Sequence, residues 1–154
     1  MANYLLGNEA LYSYLVARDP ENTKGKVVKI REWAKARTAQ DYLYASRLSV
    51  AMLAASIERI PVILKRDTAR EALNSTLISA FKDSLLEVDE GVLRHWSILR
   101  AGADDEAEDK LSSEQLIEVA TALHTGYTYV ARLTAPLKAI QQNVSGLVID
   151  DPWS

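Results

Sequence analysis

The sequence contains no cysteine and only two histidines in 154 residues. Without cysteine there are no disulfides, cysteine-based zinc sites or thiol nucleophiles, and nothing argues for an oxidising compartment. The N-terminus lacks the basic stretch and apolar core of a signal peptide, and no apolar run approaches the ~20 residues that span a bilayer. The expectation is a soluble, cytoplasmic protein with no membrane role. Also absent are a GxSxG elbow, a Walker loop, a GxGxxG fingerprint and an HExxH helix. Of the histidines, His124 stands in a last helical turn before Gly126, where a capping or surface role suits the helix dipole. His95, beside Trp96 on a helix with no evident acidic or nucleophilic companion, reads as structural.

What is present suits one ordinary domain spanning 1–154, with 48% hydrophobic and 25% charged residues, long enough to bury a core without staples. The net charge of −3 is unevenly spread. Between Arg18 and Arg37 lie seven basic residues (Arg18, Lys24, Lys26, Lys29, Arg31, Lys35, Arg37) against three acidic ones, whereas eleven acidic residues face three basic ones between Asp83 and Glu118. These stretches read either as solvated helix faces or as a polyanion-facing surface and a basic-partner surface.

Apolar spacing predicts strands alternating with helices. "YLLGNEALYSYL" opens with a strand at Leu5–Leu6, followed by a helix carrying Leu11, Tyr14 and Leu15. Here Gly7 permits a tight strand exit, Asn8 is placed to cap the helix, and Glu9 suits its positive end. A second helix runs from about Val27 to Ala36, and Asp41–Ser49 reads as a strand. Val50, Leu53, Ala54, Ile57 and Ile60 form a core-facing stripe closed by Pro61, with Met52, Ser56 and Arg59 off it. Residues 67–82 read as an exposed amphipathic helix with Leu73, Leu77, Ile78 and Phe81. Then come a strand at Leu85–Val88, an N-cap at Asp89 and a helix bearing Val92, Leu93, Trp96 and Leu99. The acidic run 103–110 reads as a solvated loop or helix end. Ser112 and Gln115 stand at capping-box spacing, with Gly126 as the C′ residue. Strands at 127–130 and 146–150 complete an α/β pattern with a parallel sheet of about five short strands and helices on both faces.

Hydrolysis of phosphodiesters needs carboxylates that converge from different elements to hold Mg2+ or Mn2+ with open positions. Glu9, Glu118 and the cluster 104–109 are available, but each has a plain alternative: Glu9 favours a helix dipole, Glu118 faces solvent, the cluster is loop.

Taken in order, "NYLLGNEAL", "YASRLSVAMLAASIERI", "LLEVDEGVLRHWSILRA", "IEVATALHTGYTYVARL" and "VIDDPW" resemble the PIN-domain family, specifically VapC- and FitB-like toxins of bacterial toxin–antitoxin operons. The resemblance implies a three-layer α/β/α fold and a Mg- or Mn-dependent ribonuclease with acidic residues at the strand ends. It also implies an antitoxin arm as partner and a homodimer through the helices at 50–60 and 67–81. The departures are systematic. The first family aspartate falls on Gly7, the helix glutamate on Met52 and the next aspartate on Gln115, while Leu133 and Pro136 replace polar positions of a later segment. Glycine offers no ligand, methionine is too soft for a hard cation, and glutamine is weaker than a carboxylate.

The sequence therefore reads as a family member that has lost its ribonuclease activity, takes no cofactor and works by binding RNA or a protein partner. Lys24, Lys26, Lys29, Arg31, Lys35 and Arg37 are the candidate contacts. The alternative is an active Mg- or Mn-dependent ribonuclease with a rearranged site built from Glu9, Glu118 and a loop aspartate, Asp104 or Asp105. Glu118 lies three residues from Gln115 and so near its helix face.

Overall fold

A computed structural model describes residues 2–37, 42–81, 83–103 and 110–154, without the side chains of 77 and 78. Asp41, Leu77, Ile78, and the acidic cluster with Asp104 and Asp105 are expectations that lie outside what is described.

Five strands form one parallel sheet, β1 (Asn3–Leu6), β2 (Tyr42–Ser46), β3 (Leu85–Leu86), β4 (Thr128–Val130) and β5 (Ile149–Asp150), in the order β3-β2-β1-β4-β5. Seven helices connect them: α1 (Asn8–Ala17), α2 (Gly25–Lys35), α3 (Arg47–Glu58), α4 (Ile63–Phe81), α5 (Glu90–Ala101), α6 (Ser113–Thr125) and α7 (Ala135–Asn143). The sheet grows from β1 outward to β3, then restarts beside β1 with β4. That reversal makes the C-terminal ends of β1 and β4 the topological switch point, where crevices form in open α/β sheets.

Side chains alternate across the sheet, so each strand feeds two cores. Leu6, Ala45 and Val130 pack with α1, α2, Leu53, Phe81 and Trp153 on one face. Leu5 and Tyr129 pack with Val119, Ala122, Leu137 and Leu147 on the other. The expected alternation of strands and helices and the three layers are present.

Several boundaries differ from the expectation. Arg47–Ser49 are helical rather than strand, because the Ser46 hydroxyl accepts the Leu48 N–H at 3.2 Å and starts α3. Of the stripe expected from Val50 to Ile60, only Leu53 is buried, and the helix ends at Glu58, before Pro61. α4 begins at Ile63, four residues early, with Val62, Ile63 and Leu64 exposed. The strands at 85–88, 127–130 and 146–150 shorten to two, three and two residues. Leu93 faces outward at 45% exposure, whereas Val92 is buried. α7 was not anticipated; Thr134 caps it through the Leu137 N–H at 3.4 Å, and Pro136 suits its first turn.

The caps of the second half behave as read. Asp89 accepts the Val92 N–H at 2.9 Å, and Ser112 and Gln115 make a full capping box on α6. Gly126 closes α6 in the left-handed region at φ 76°, and a Cβ there would meet nothing within 4 Å. Gly126→Ala should therefore cost backbone strain alone, about 1–2 kcal/mol, seen as a melting temperature lower by about 2–8 °C.

Candidate functional site at the switch point

The residue after β1 is buried, and its backbone is ordinary. Gly7 has φ −67° and ψ 171°, an extended conformation open to any residue, so a tight strand exit does not explain the glycine. Space does. A Cβ at Gly7 would lie 3.0 Å from Tyr129 Cε1, 3.1 Å from its hydroxyl oxygen and 3.0 Å from the Val130 carbonyl oxygen. Asn8 is likewise not the cap of α1: Gly7 holds that position, no side-chain cap bond forms there, and Asn8 Oδ1 is buried without a partner.

The cap comes from across the fold. Glu118, on α6, accepts the Asn8 N–H at 2.8 Å and the Ser49 hydroxyl at 2.9 Å through Oε1, while the Tyr129 hydroxyl donates to Oε2. Glu118 is 2% exposed, so the expectation that it faces solvent is overturned. Three residues along a helix turn the side chain by about 60° from Gln115, enough to pass from solvent to core. Gln115 is exposed and spends its side chain on the capping box. Burial pushes the Glu118 carboxyl above the ordinary carboxylate range, and its bonds to Tyr129, Ser49 and Asn8 pull it only part of the way back. Burial and the adjacent carboxylate push the Tyr129 phenol well up, so it remains a proton donor.

The other named residues do not join this cluster. Glu9 is exposed and paired with Arg132, with Nη2 to Oε1 at 2.9 Å, and Arg132 stacks over the Trp153 ring at 4.8 Å. Met52 is half-buried on α3, Leu133 is 36% exposed, and Pro136 lies in the first turn of α7. The basic stretch is divided. Arg31 donates to the carbonyls of Ala17, Asp19 and Asn22, and Arg37 pairs with Asp150 at 3.2 Å while lying over Trp33. Lys29 donates to the Trp153 carbonyl at 3.2 Å. Lys26 sits over Tyr12, and Lys24 and Lys35 are exposed.

Sequence reasoning missed Ser49, Tyr129 and Arg132. One signal was present: Glu118 is a lone charge among Leu116, Val119 and Ala120, all buried, and a carboxylate in such a run requires donors from elsewhere. His124 Nε2 lies 3.7 Å from Asp89 Oδ1, and its ring is 5.8 Å from that of His95. Elsewhere, Tyr12, Leu15, Leu53, Ile57, Ile60 and Leu73 line a largely apolar groove of about 460 Å3 between α1, α3 and α4.

Sheet order and layers place the chain among the PIN-like α/β/α folds of VapC and FitB proteins. It superposes on FitAcB from Neisseria gonorrhoeae with a TM-score of 0.76 at 19% identity, covering 97% of this chain and 98% of that one. VapBC-1 from nontypeable Haemophilus influenzae gives 0.72 at 13% identity, covering 99% of each chain. No protein-family model matches. In sequence, the chain is 30% identical over 124 residues to the plasmid stability protein StbB of Pseudomonas syringae pv. tomato, across 80% of this chain and 84% of that protein, and it belongs to that protein's family.

The VapC and FitB likeness implies Mg2+ or Mn2+, and the described residues do not fit such an ion. It needs several hard oxygen donors with free lone pairs. Gly7 offers none, Met52 a thioether, and Gln115 an oxygen already used in its cap. Both Glu118 oxygens accept protein donors, and Glu9 is neutralised by Arg132. Among the described residues, no group of three or more His, Cys, Asp or Glu side chains is arranged to hold a metal ion. Nor, among them, is any helix long and apolar enough to cross a membrane.

Proposed function

We propose that this chain, acting as one domain, is a metal-independent PIN-like member of a plasmid-stability pair that works by binding an antitoxin-like protein rather than by cutting RNA. The observation that carries the reading is the Glu118 carboxylate, the buried acid of the switch point, whose two oxygens are taken by Asn8, Ser49 and Tyr129. A protein partner is favoured over RNA because Arg31, Arg37 and Lys29 are bonded within the chain, which leaves fewer cations for phosphate. The relative named for plasmid stability, and solved neighbours described as toxin–antitoxin complexes, support the same choice. The groove between α1, α3 and α4 has the apolar lining that a partner helix requires. The reading includes a cytoplasmic location and a homodimer through α3 and α4.

The deciding measurement is calorimetric titration with MnCl2. We expect no saturable heat at millimolar Mn2+ and the same melting temperature with Mn2+ as with EDTA. Saturable binding that Glu9→Gln abolishes would instead overturn the metal-independent reading.

A further inference from the structure

We infer that Tyr129 and Glu118 form a hydrogen-bonded plug that ties the C-terminal edge of the sheet together in place of a bridging cation, and that residue 7 is glycine because the plug occupies its side-chain space. The inference rests on the metal-independent reading for its chemistry, but its test does not use a metal.

Four elements meet in the plug. α6 supplies the carboxylate, β4 the phenol, α3 the Ser49 hydroxyl and α1 its first backbone N–H. A divalent ion joins separate elements by neutralising several carboxylates at once. Here a single carboxylate faces three donors, so no second acid is needed and there is no mutual repulsion to offset. The positive end of α1 adds to the attraction, because the Asn8 N–H belongs to its unsatisfied first turn.

Gly7 is the necessary counterpart. Its φ and ψ require no glycine, yet any Cβ would press on the Tyr129 ring, its hydroxyl and the Val130 carbonyl, all at 3.0–3.1 Å. The Gly7 N–H donates to that same carbonyl at 2.9 Å, which holds β1 and β4 at this separation. A side chain at position 7 therefore requires the Tyr129 ring and the Val130 carbonyl to give way by a few tenths of an ångström. The small residue at position 7 and the large one at position 129 thus share one packing constraint.

A stability cycle in EDTA-containing buffer tests the pairing. Gly7→Ala in the native background is expected to lower the melting temperature by about 2–12 °C, the range for overpacking a filled site. In a Tyr129→Leu background the same change is expected to cost less than half as much, the remainder being owed to the Val130 carbonyl. Equal losses in the two backgrounds would overturn the inference. Should Tyr129→Leu not fold, Tyr129→Phe serves, since it removes only the hydroxyl. Exchange of the Asn8 amide should then speed up by about tenfold relative to the β1 amides, and unchanged exchange counts against the plug. The plug fails on these readings, whereas the binding proposal fails on the MnCl2 titration, so the two are separable.

Discussion

Glu118→Ala should lower the melting temperature by about 8–16 °C, far more than removal of an exposed carboxylate such as Glu9. The substitution leaves the Asn8 N–H, the Ser49 hydroxyl and the Tyr129 hydroxyl without an acceptor in a buried site. Each stranded donor costs about 1–3 kcal/mol, and because the three share one acceptor a total of about 4 kcal/mol is the sensible figure. At about 2–4 °C per kcal/mol for a chain of this size, that gives the stated drop. Glu9 differs because its bond to Arg132 lies in solvent, where ion pairs contribute about 0–1 kcal/mol.

The charge of Glu118 adds a dependence on pH with a definite sign. Burial raises its pKa in the fold, so the native state holds this proton more tightly than the unfolded chain does. Its contribution to stability is therefore fullest below the ordinary carboxylate range. It declines as pH rises from that range through the raised folded value, then stays level. Glu118→Gln keeps an acceptor oxygen and has no proton to lose, so it lacks this decline. The melting temperature of the glutamine variant minus that of the native chain should grow more positive as pH climbs from about 4 toward neutrality, and parallel curves would exclude the raised pKa.

The alternation of strands and helices was legible because long, periodic segments such as α1, α2 and α6 announce themselves, and Asp89, Ser112, Gln115 and Gly126 punctuate them. β3 and β5 are two residues each, too short for any period, so their expected lengths came from apolar neighbours that lie outside the sheet. The start of α7, Thr134–Ala135–Pro136, is a cap followed by proline, a signal confined to three residues. At the site, the glycine at position 7 was legible but the spatial reason for it was not. Tyr129 reaches Gly7 only through the register that sets Leu6 against Val130, and no local pattern encodes that pairing. Likewise, counting charges from Arg18 to Arg37 does not show that Arg31 is bonded to three carbonyls around the α1–α2 turn.

Trp153→Ala should cost about 3–5 kcal/mol, lowering the melting temperature by about 6–20 °C, because the side chain is tied into the core. The Trp153 ring is 8% exposed within the α1–α2 core, and its Nε1–H donates to the Lys26 carbonyl at 3.0 Å. Its own N–H donates to Asp151 at 2.8 Å, and its carbonyl accepts from Lys29. Arg132 lies over the ring while reaching Glu9, so the aromatic surface also fixes an ion pair that joins α1 to the end of β4 at the switch point. Trp153→Phe separates the contributions: it keeps apolar area and ring stacking but loses the indole donor, and about 1–2 kcal/mol is the expected loss. An alanine variant melting within about 3 °C of the native chain would mean that the C-terminal segment only rests on the core; a loss in the expected range means that it closes the core from the α2 side.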